Sequence, residues 1–147
     1  MKLQAKTQVQ ISKPVHEVFE AIVDPTKMEK YFITAGSARL EEGKTITWTW
    51  EHYKVSLPVH VQRMEVDKFI SFKWPASGTE TLVEFTLEPI NETITELRVK
   101  EDGWDKTDGG IASLAEQTQG WVFMVTWLKA YLEYGIKLMT VVNSKFD

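Results

Sequence analysis

Residues 2–11 alternate between polar and apolar side chains. Strict alternation is typical of a strand that has one face on the core and the other in water. The side chains assigned to the core face are Leu3, Ala5, Thr7, Val9 and Ile11. Apolar spacing around Phe19 then predicts a short helix. Asp24-Pro25 predicts the start of a second one, with Asp24 as its N-cap.

Alternating apolar runs return between Ser37 and Lys100, separated by turn signals such as Glu42-Gly43 and Asp67-Lys68. We interpret these runs as consecutive antiparallel strands. With the first strand set apart, they predict about six further strands in one sheet. No internal repeat or linker composition interrupts this stretch.

The last third of the chain has apolar residues at spacings of three and four, which predicts one long amphipathic helix from Ile111 to Val142. Its main stripe is Trp121, Val125, Leu128, Leu132, Ile136 and Met139. Trp127, Tyr131 and Tyr134 widen that stripe, so the helix needs a large partner surface.

Strands grouped together, with helices set aside, predict an α+β fold in a single domain of residues 1–147. A twisted sheet of this length curls, and the long C-terminal helix is expected to lie across its concave face. Because one cylinder cannot fill a wide trough, we expect a cavity between sheet and helix.

The composition excludes several classes of protein. The chain contains no cysteine, which excludes disulfides and thiolate metal sites and suits a reducing compartment. No signal-peptide pattern and no apolar run of about 18 residues is present, so we expect a cytoplasmic protein without a membrane span. The formal net charge of −4 and scattered basic residues argue against nucleic-acid binding.

Three histidines are available for metal or acid–base chemistry, His16, His52 and His60. All three are expected to face solvent, and none has a partner at metal-ligand spacing. The sequence also lacks a Gly-x-Ser-x-Gly nucleophile motif. We therefore expect no metal and no cofactor.

Several short motifs occur in a fixed order along nearly the whole chain. They are Ile11–Phe19, Asp24-Pro25, Tyr31-Phe32, Ile70–Trp74, Glu101–Trp104, Gly120-Trp121 and Leu128–Gly135. In type and order they resemble the helix-grip (START-like, SRPBCC) superfamily, and within it the group named after the activator of the heat-shock-protein-90 ATPase.

The resemblance implies a fold whose members include lipid-transfer domains, the birch-pollen-allergen fold and polyketide cyclases. Two departures matter. Tyr31 stands where a tryptophan is usual, and 147 residues leave no room for the separate chaperone-binding domain of the eukaryotic activator. A chaperone partner is therefore poorly supported.

The alternation of side chains along the strands and the apolar face of the helix predict which residues line a candidate ligand cavity. Its predicted residues are Trp48, Trp50, Arg63, Phe72, Trp74, Phe85, Val99, Glu101, Trp121 and Val125. The aromatic side chains either line a site for a flat apolar ligand or simply fill the core. Glu101 is either a proton acceptor or ligand anchor at the pocket mouth, or a rim carboxylate paired with lysine or water. Arg63 is either an inward counter-charge or a solvated strand end.

These predictions lead to three alternative hypotheses for the function. The favoured hypothesis is non-catalytic binding of a small hydrophobic molecule, such as a lipid, a sterol-like compound or an aromatic polyketide. A cyclase or aromatase would use the same cavity, with Glu101 as the one candidate catalytic residue. A chaperone-cofactor-like interaction module would need a surface patch instead of a cavity.

Overall fold

The computed structural model describes residues 2–139. The strands are β1 (Leu3–Ile11), β2 (Ala35–Gly36), β3 (Thr45–Trp50), β4 (Val55–Glu65), β5 (Phe69–Trp74), β6 (Thr81–Asn91) and β7 (Ile94–Trp104). The helices are α1 (Val15–Val23), α2 (Pro25–Met28) and α3 (Asp108–Tyr134), with a 3₁₀ turn at Glu51–Tyr53.

The strands form one curved, open sheet in the order β1-β7-β6-β5-β4-β3-β2, and every neighbouring pair is antiparallel. Six strands follow β1 along the chain, and the long helix comes last. The predicted α+β helix-grip fold is confirmed.

Burial along the sheet follows the alternation in the sequence. In β1, Ala5 and Ile11 are buried and the intervening lysine and glutamines are exposed. In β7, Leu97, Val99 and Glu101 all face the core. Glu101 lies opposite Ala5 on β1 and Val83 on β6, so neighbours on both sides enclose it.

The two short helices follow β1 and are separated by Asp24. Val18, Phe19 and Ile22 form the buried face of α1. Asp24 then caps α2, because its carboxylate accepts a hydrogen bond of 2.9 Å from the backbone N–H of Thr26.

Helix α3 is shorter than its apolar pattern predicts. It ends at Tyr134 because Gly135 adopts a left-handed conformation with φ of 67° and caps the last turn. Ile136, assigned to the apolar stripe, is half exposed beyond the helix end, and Met139 is buried but not helical. The predicted extension through Thr140–Val142 lies outside the described residues.

Candidate functional site

A pocket of about 290 Å³ opens between the β3–β5 side of the sheet and the first half of α3. It exists there because α3 packs mainly against β1 and β7, which leaves the other side of the trough partly uncovered. Its walls are Phe32, Trp50, Tyr53, Val55, Leu57, Trp74, Ala76, Gln117, Gly120 and Trp121. No charged side chain is among these described lining residues.

Aromatic side chains fill the trough beneath the pocket. Trp48, Phe72 and Phe85 are essentially fully buried, and Trp48 and Phe85 each make an edge-to-face contact with Phe72. Val99 and Val125 are also buried. Of the predicted cavity residues, only Trp50, Trp74 and Trp121 line the pocket, so the open space is smaller than the sequence suggested.

The pocket wall is a set of rings that hold one another in place. Trp74 of β5 stacks on Trp121 of α3, with ring centroids 5.4 Å apart and an interplanar angle of 28°. Phe32 meets Trp50 edge to face at 5.4 Å. Contacts of this kind fix the orientation of large rings, so the pocket is preformed.

Glu101 lies directly behind this wall and is fully buried. Its Oε2 accepts hydrogen bonds from the Trp74 indole at 2.9 Å and from the Thr81 hydroxyl at 2.6 Å. Its Oε1 accepts from the Trp121 indole at 2.8 Å and from the Gln117 amide at 3.0 Å. A single carboxylate therefore links β5, β6, β7 and α3.

The donors around Glu101 suit an ionised carboxylate. Indole and amide N–H groups can only donate, and both carboxylate oxygens are occupied by donors. Within residues 2–139, none of the ion pairs includes Glu101. Burial of such a charge is costly, and the four neutral donors offset that cost.

The sequence correctly placed Glu101 on the concave side, but it is neither at the rim nor paired with a lysine. Helix α3 and the indoles of β5 and α3 cover it completely. In this arrangement the carboxylate does not face the pocket space, which works against a role as a general base acting on a bound molecule.

Of the two alternatives for Arg63, the structure shows the solvated residue and not the inward counter-charge. The register of β4 against β5 shifts between Val61 and Arg63, and such a bulge reverses the parity of the residues after it. Arg63 is two-thirds exposed, and its guanidinium lies 4.6 Å from the centre of the Phe69 ring. Met64 takes the partly buried position instead.

The three histidines lie apart from one another. His16 is exposed and bonds Asp67 at 2.8 Å, and His60 contacts the Thr45 hydroxyl at 2.9 Å. His52 is half-buried, and its Nδ1 has no hydrogen-bond partner among the described residues. Across residues 2–139, no group of three or more His, Asp or Glu side chains could hold a metal ion.

The predicted cavity residues did not include seven of the residues that line the pocket: Phe32, Tyr53, Val55, Leu57, Ala76, Gln117 and Gly120. Gln117 could have been found, because it precedes Trp121 by four residues and so shares its helix face. Phe32 lies in a turn and Tyr53 ends the short 3₁₀ turn, and such short segments have no side-chain periodicity that would give a direction.

Two other depressions differ in character from the apolar pocket. One of about 470 Å³ lies on the outer face of the sheet among polar and charged side chains, including Lys6, Glu84 and Arg98. Another, of about 370 Å³, lies between the β5–β6 turn and the start of α3.

In the described part of the chain, no helix is both long and apolar enough to cross a bilayer.

Comparison with known proteins agrees with this geometry. The crystal structure of SSP2350 from Staphylococcus saprophyticus is 33% identical, with a TM-score of 0.81 and coverage of 93% of this chain and 96% of that one. The crystal structure of DynU16, a protein in the dynemicin biosynthetic locus, is 26% identical with a TM-score of 0.79, covering 90% of this chain and 48% of that one.

A curated relative matches over a shorter stretch. Human receptor-type tyrosine-protein phosphatase epsilon is 30% identical over 79 residues, which is 52% of this chain. The chain spans only 11% of that protein's length.

The family profile extends over most of the fold. The profile described as "Activator of Hsp90 ATPase homolog 1-like protein" matches residues 12–133, from the residue after β1 to the last turn of α3. This chain belongs to the family of activator of Hsp90 ATPase homolog 1-like proteins.

Proposed function

We propose that this protein binds a small, mainly apolar molecule in the pocket between β3–β5 and α3, without catalysing a reaction on it. The observation that carries the proposal is an unfilled pocket of about 290 Å³ with five aromatic side chains among its walls. Small-molecule sites are concave, mostly apolar and roughly 300–1,000 Å³ in volume. The space therefore suits a compact ligand of one or two rings better than a long-chain lipid.

The chemistry of the walls explains how such a ligand would be held. Trp50, Trp74 and Trp121 offer flat apolar surfaces, and burial of apolar ligand area is worth about 25 cal/mol per Å². The rings are fixed by their mutual contacts, so little ordering would oppose binding. Family membership supports a ligand-binding domain, and DynU16, from a biosynthetic locus, is compatible with a small-molecule role.

The same walls favour binding over catalysis. An acid–base enzyme needs a titratable group within hydrogen-bond reach of the substrate. Among the described lining residues, the polar side chains other than tryptophan are Gln117 and Tyr53, and Tyr53 is largely exposed. A cyclase or aromatase that uses Glu101 would first have to move Gln117 aside.

Gly120 makes a direct test possible. It lies in the pocket wall, and a Cβ atom added there would meet nothing within 4 Å. Gly120→Leu should therefore fill the pocket without straining the fold. Gln119→Leu, at the exposed neighbouring position, adds a similar side chain outside the pocket and serves as the control.

The measurement is isothermal titration with 2-(1-naphthyl)ethanol, a neutral two-ring probe, supported by thermal shift with a panel of apolar compounds. We expect the wild type and Gln119→Leu to bind alike and Gly120→Leu to bind at least about ten-fold more weakly, a loss of about 1.4 kcal/mol. Equal binding by all three proteins, or no stabilisation of the wild type by any compound, would contradict the proposal.

A second candidate function is contact with an Hsp90-type chaperone, in keeping with the family description. The observation that favours it is an exposed aromatic residue on α3, Phe123, which packs against the partly buried Trp127. Phe123 is 45% exposed and stacks on Trp127 at 5.5 Å with nearly parallel rings. Chaperone binding that is lost in Phe123→Ser but kept in Gly120→Leu would favour this alternative over the pocket.

The cysteine-free composition fits a reducing compartment, so a cytoplasmic location is part of the proposal.

A further inference from the structure

We infer that the pocket selects its ligand by charge, with Glu101 as the residue that sets the preference. It favours compact ring compounds whose polar end is a cationic amine, and it disfavours those that end in a carboxylate. The inference rests on the proposed function, because it assigns a ligand class to the same pocket.

The first step is the position of the charge. Three of the four side chains that donate to Glu101 also line the pocket, namely Trp74, Gln117 and Trp121. Each of them contacts the carboxylate on one side and the pocket space on the other. The negative charge is therefore separated from a bound molecule by a single layer of side chains.

The second step is that no counter-ion pairs with Glu101 within residues 2–139. The groups that bond Glu101 are neutral indole, hydroxyl and amide groups, which spread the charge but do not cancel it. A charge inside an apolar, poorly polarisable region acts over a longer distance than a charge in water. A second anion placed in this pocket would be repelled, and a cation would be attracted.

Charges near the pocket mouth do not reverse this field. The turn that carries Tyr53 also holds Glu51 and Lys54, which are both exposed and opposite in sign. Solvent and salt screen such surface charges strongly. The buried carboxylate therefore dominates the potential inside the pocket.

The third step concerns the Gln117 amide, the one hydrogen-bond donor to Glu101 that a ligand group can replace. Trp74 and Trp121 are held by their ring stack, whereas Gln117 is a flexible side chain that reaches both oxygens, at 3.0 and 3.4 Å. A ligand ammonium group could take the place of the Gln117 amide at the carboxylate. A ligand hydroxyl could do the same with a weaker bond, and a ligand carboxylate has no hydrogen to donate.

The test compares three ligands that share one ring system: 2-(1-naphthyl)ethylamine, 2-(1-naphthyl)ethanol and 1-naphthaleneacetate. Their affinities are measured by isothermal titration at neutral pH and physiological ionic strength. We expect the amine to bind at least about ten-fold more tightly than the carboxylate, with the alcohol between them.

Two variants assign the preference to Glu101. Glu101→Gln should reduce the ratio of amine to carboxylate affinity to below about three-fold. Gln117→Met keeps the carboxylate and removes the competing donor, so the ratio should stay the same or increase, even if Glu101→Gln fails to fold. Glu116→Gln removes an exposed charge from the same helix and controls for the net charge of the protein. That variant should leave the ratio unchanged.

The outcomes separate this inference from the proposed function. Equal affinities for the three ligands, or tighter binding of the carboxylate, overturn charge selection but leave the pocket as a binding site. Charge selection is also overturned if the ratio of amine to carboxylate affinity falls to one in Gln117→Met. It is overturned as well if that ratio falls as far in Glu116→Gln as in Glu101→Gln. No binding by any of the three ligands overturns both proposals.

Discussion

The indole nitrogen of Trp121 donates a hydrogen bond of 2.8 Å to Oε1 of Glu101, which joins the middle of α3 to strand β7. The Trp74 indole reaches the other oxygen at 2.9 Å, and the two indole rings stack on each other. A buried acid on β7 thus orients the two rings that form the floor of the pocket. The same contacts therefore stabilise the fold and form the basis of the proposed ligand preference.

Glu101→Gln should lower the free energy of unfolding by about 3 kcal/mol, because in either orientation the new amide N–H₂ meets an indole N–H, which can only donate. Chemical denaturation of the two proteins measures the difference. Glu88→Gln, an exposed position on β6, is the control and should change stability by less than about 0.5 kcal/mol. A similarly small effect in Glu101→Gln would mean that the donor cluster contributes little to folding.

Tyr31→Phe should lower the free energy of unfolding by about 1–2 kcal/mol at neutral pH. The Tyr31 side chain is fully buried, and its hydroxyl donates a bond of 2.8 Å to the Ala21 carbonyl, which the variant leaves unpaired. The tyrosine at this position, where a tryptophan is usual in the family, therefore has a specific partner.

The same residue gives a prediction for alkaline pH. Burial raises the pKa of the Tyr31 phenol well above its usual 10.0. Because the folded state disfavours ionisation, the wild type should lose stability as the pH rises above the ordinary value of about 10. The stability difference between wild type and Tyr31→Phe should therefore shrink in that range, as measured by denaturation across pH. A difference that stays constant to higher pH would contradict this.

A glycine inside α3 and the glycine that caps its C-terminal end should respond to alanine in opposite ways. Gly120→Ala should raise the free energy of unfolding by about 0.5–1 kcal/mol, since the position is helical and the added methyl group meets open space. Gly135→Ala should lower it by about 1 kcal/mol, because the φ of 67° at the helix cap disfavours any Cβ. Thermal and urea unfolding measure both. Equal changes in the free energy of unfolding for the two variants would show that the backbone conformation of each glycine does not determine the effect of alanine.

Much of the fold could be predicted because the signals are local. Alternation places Leu97, Val99 and Glu101 on the inner face of β7, and helical spacing places Trp121 and Val125 on the buried face of α3. These patterns depend on neighbours in sequence, so they hold without knowledge of the tertiary structure.

The failures have equally specific causes. One extra residue in β4 turned Arg63 outward, and parity counting does not detect a bulge. Gly135 ended α3 although apolar spacing continued beyond it. The pocket itself combines Phe32, Tyr53 and Gln117 from distant parts of the chain, and no sequence period links them.

The most direct test of the pocket as a binding site is a nuclear magnetic resonance titration of the indole N–H signals with 2-(1-naphthyl)ethanol. Trp50, Trp74 and Trp121 line the pocket, whereas Trp104 bonds Ser77 elsewhere and Trp127 packs on Phe123 outside it. We expect the signals of the three lining residues to shift together with a single dissociation constant, while those of Trp104 and Trp127 stay in place. Shifts confined to Trp104 or Trp127, or no shift at saturating ligand, would contradict binding in this pocket.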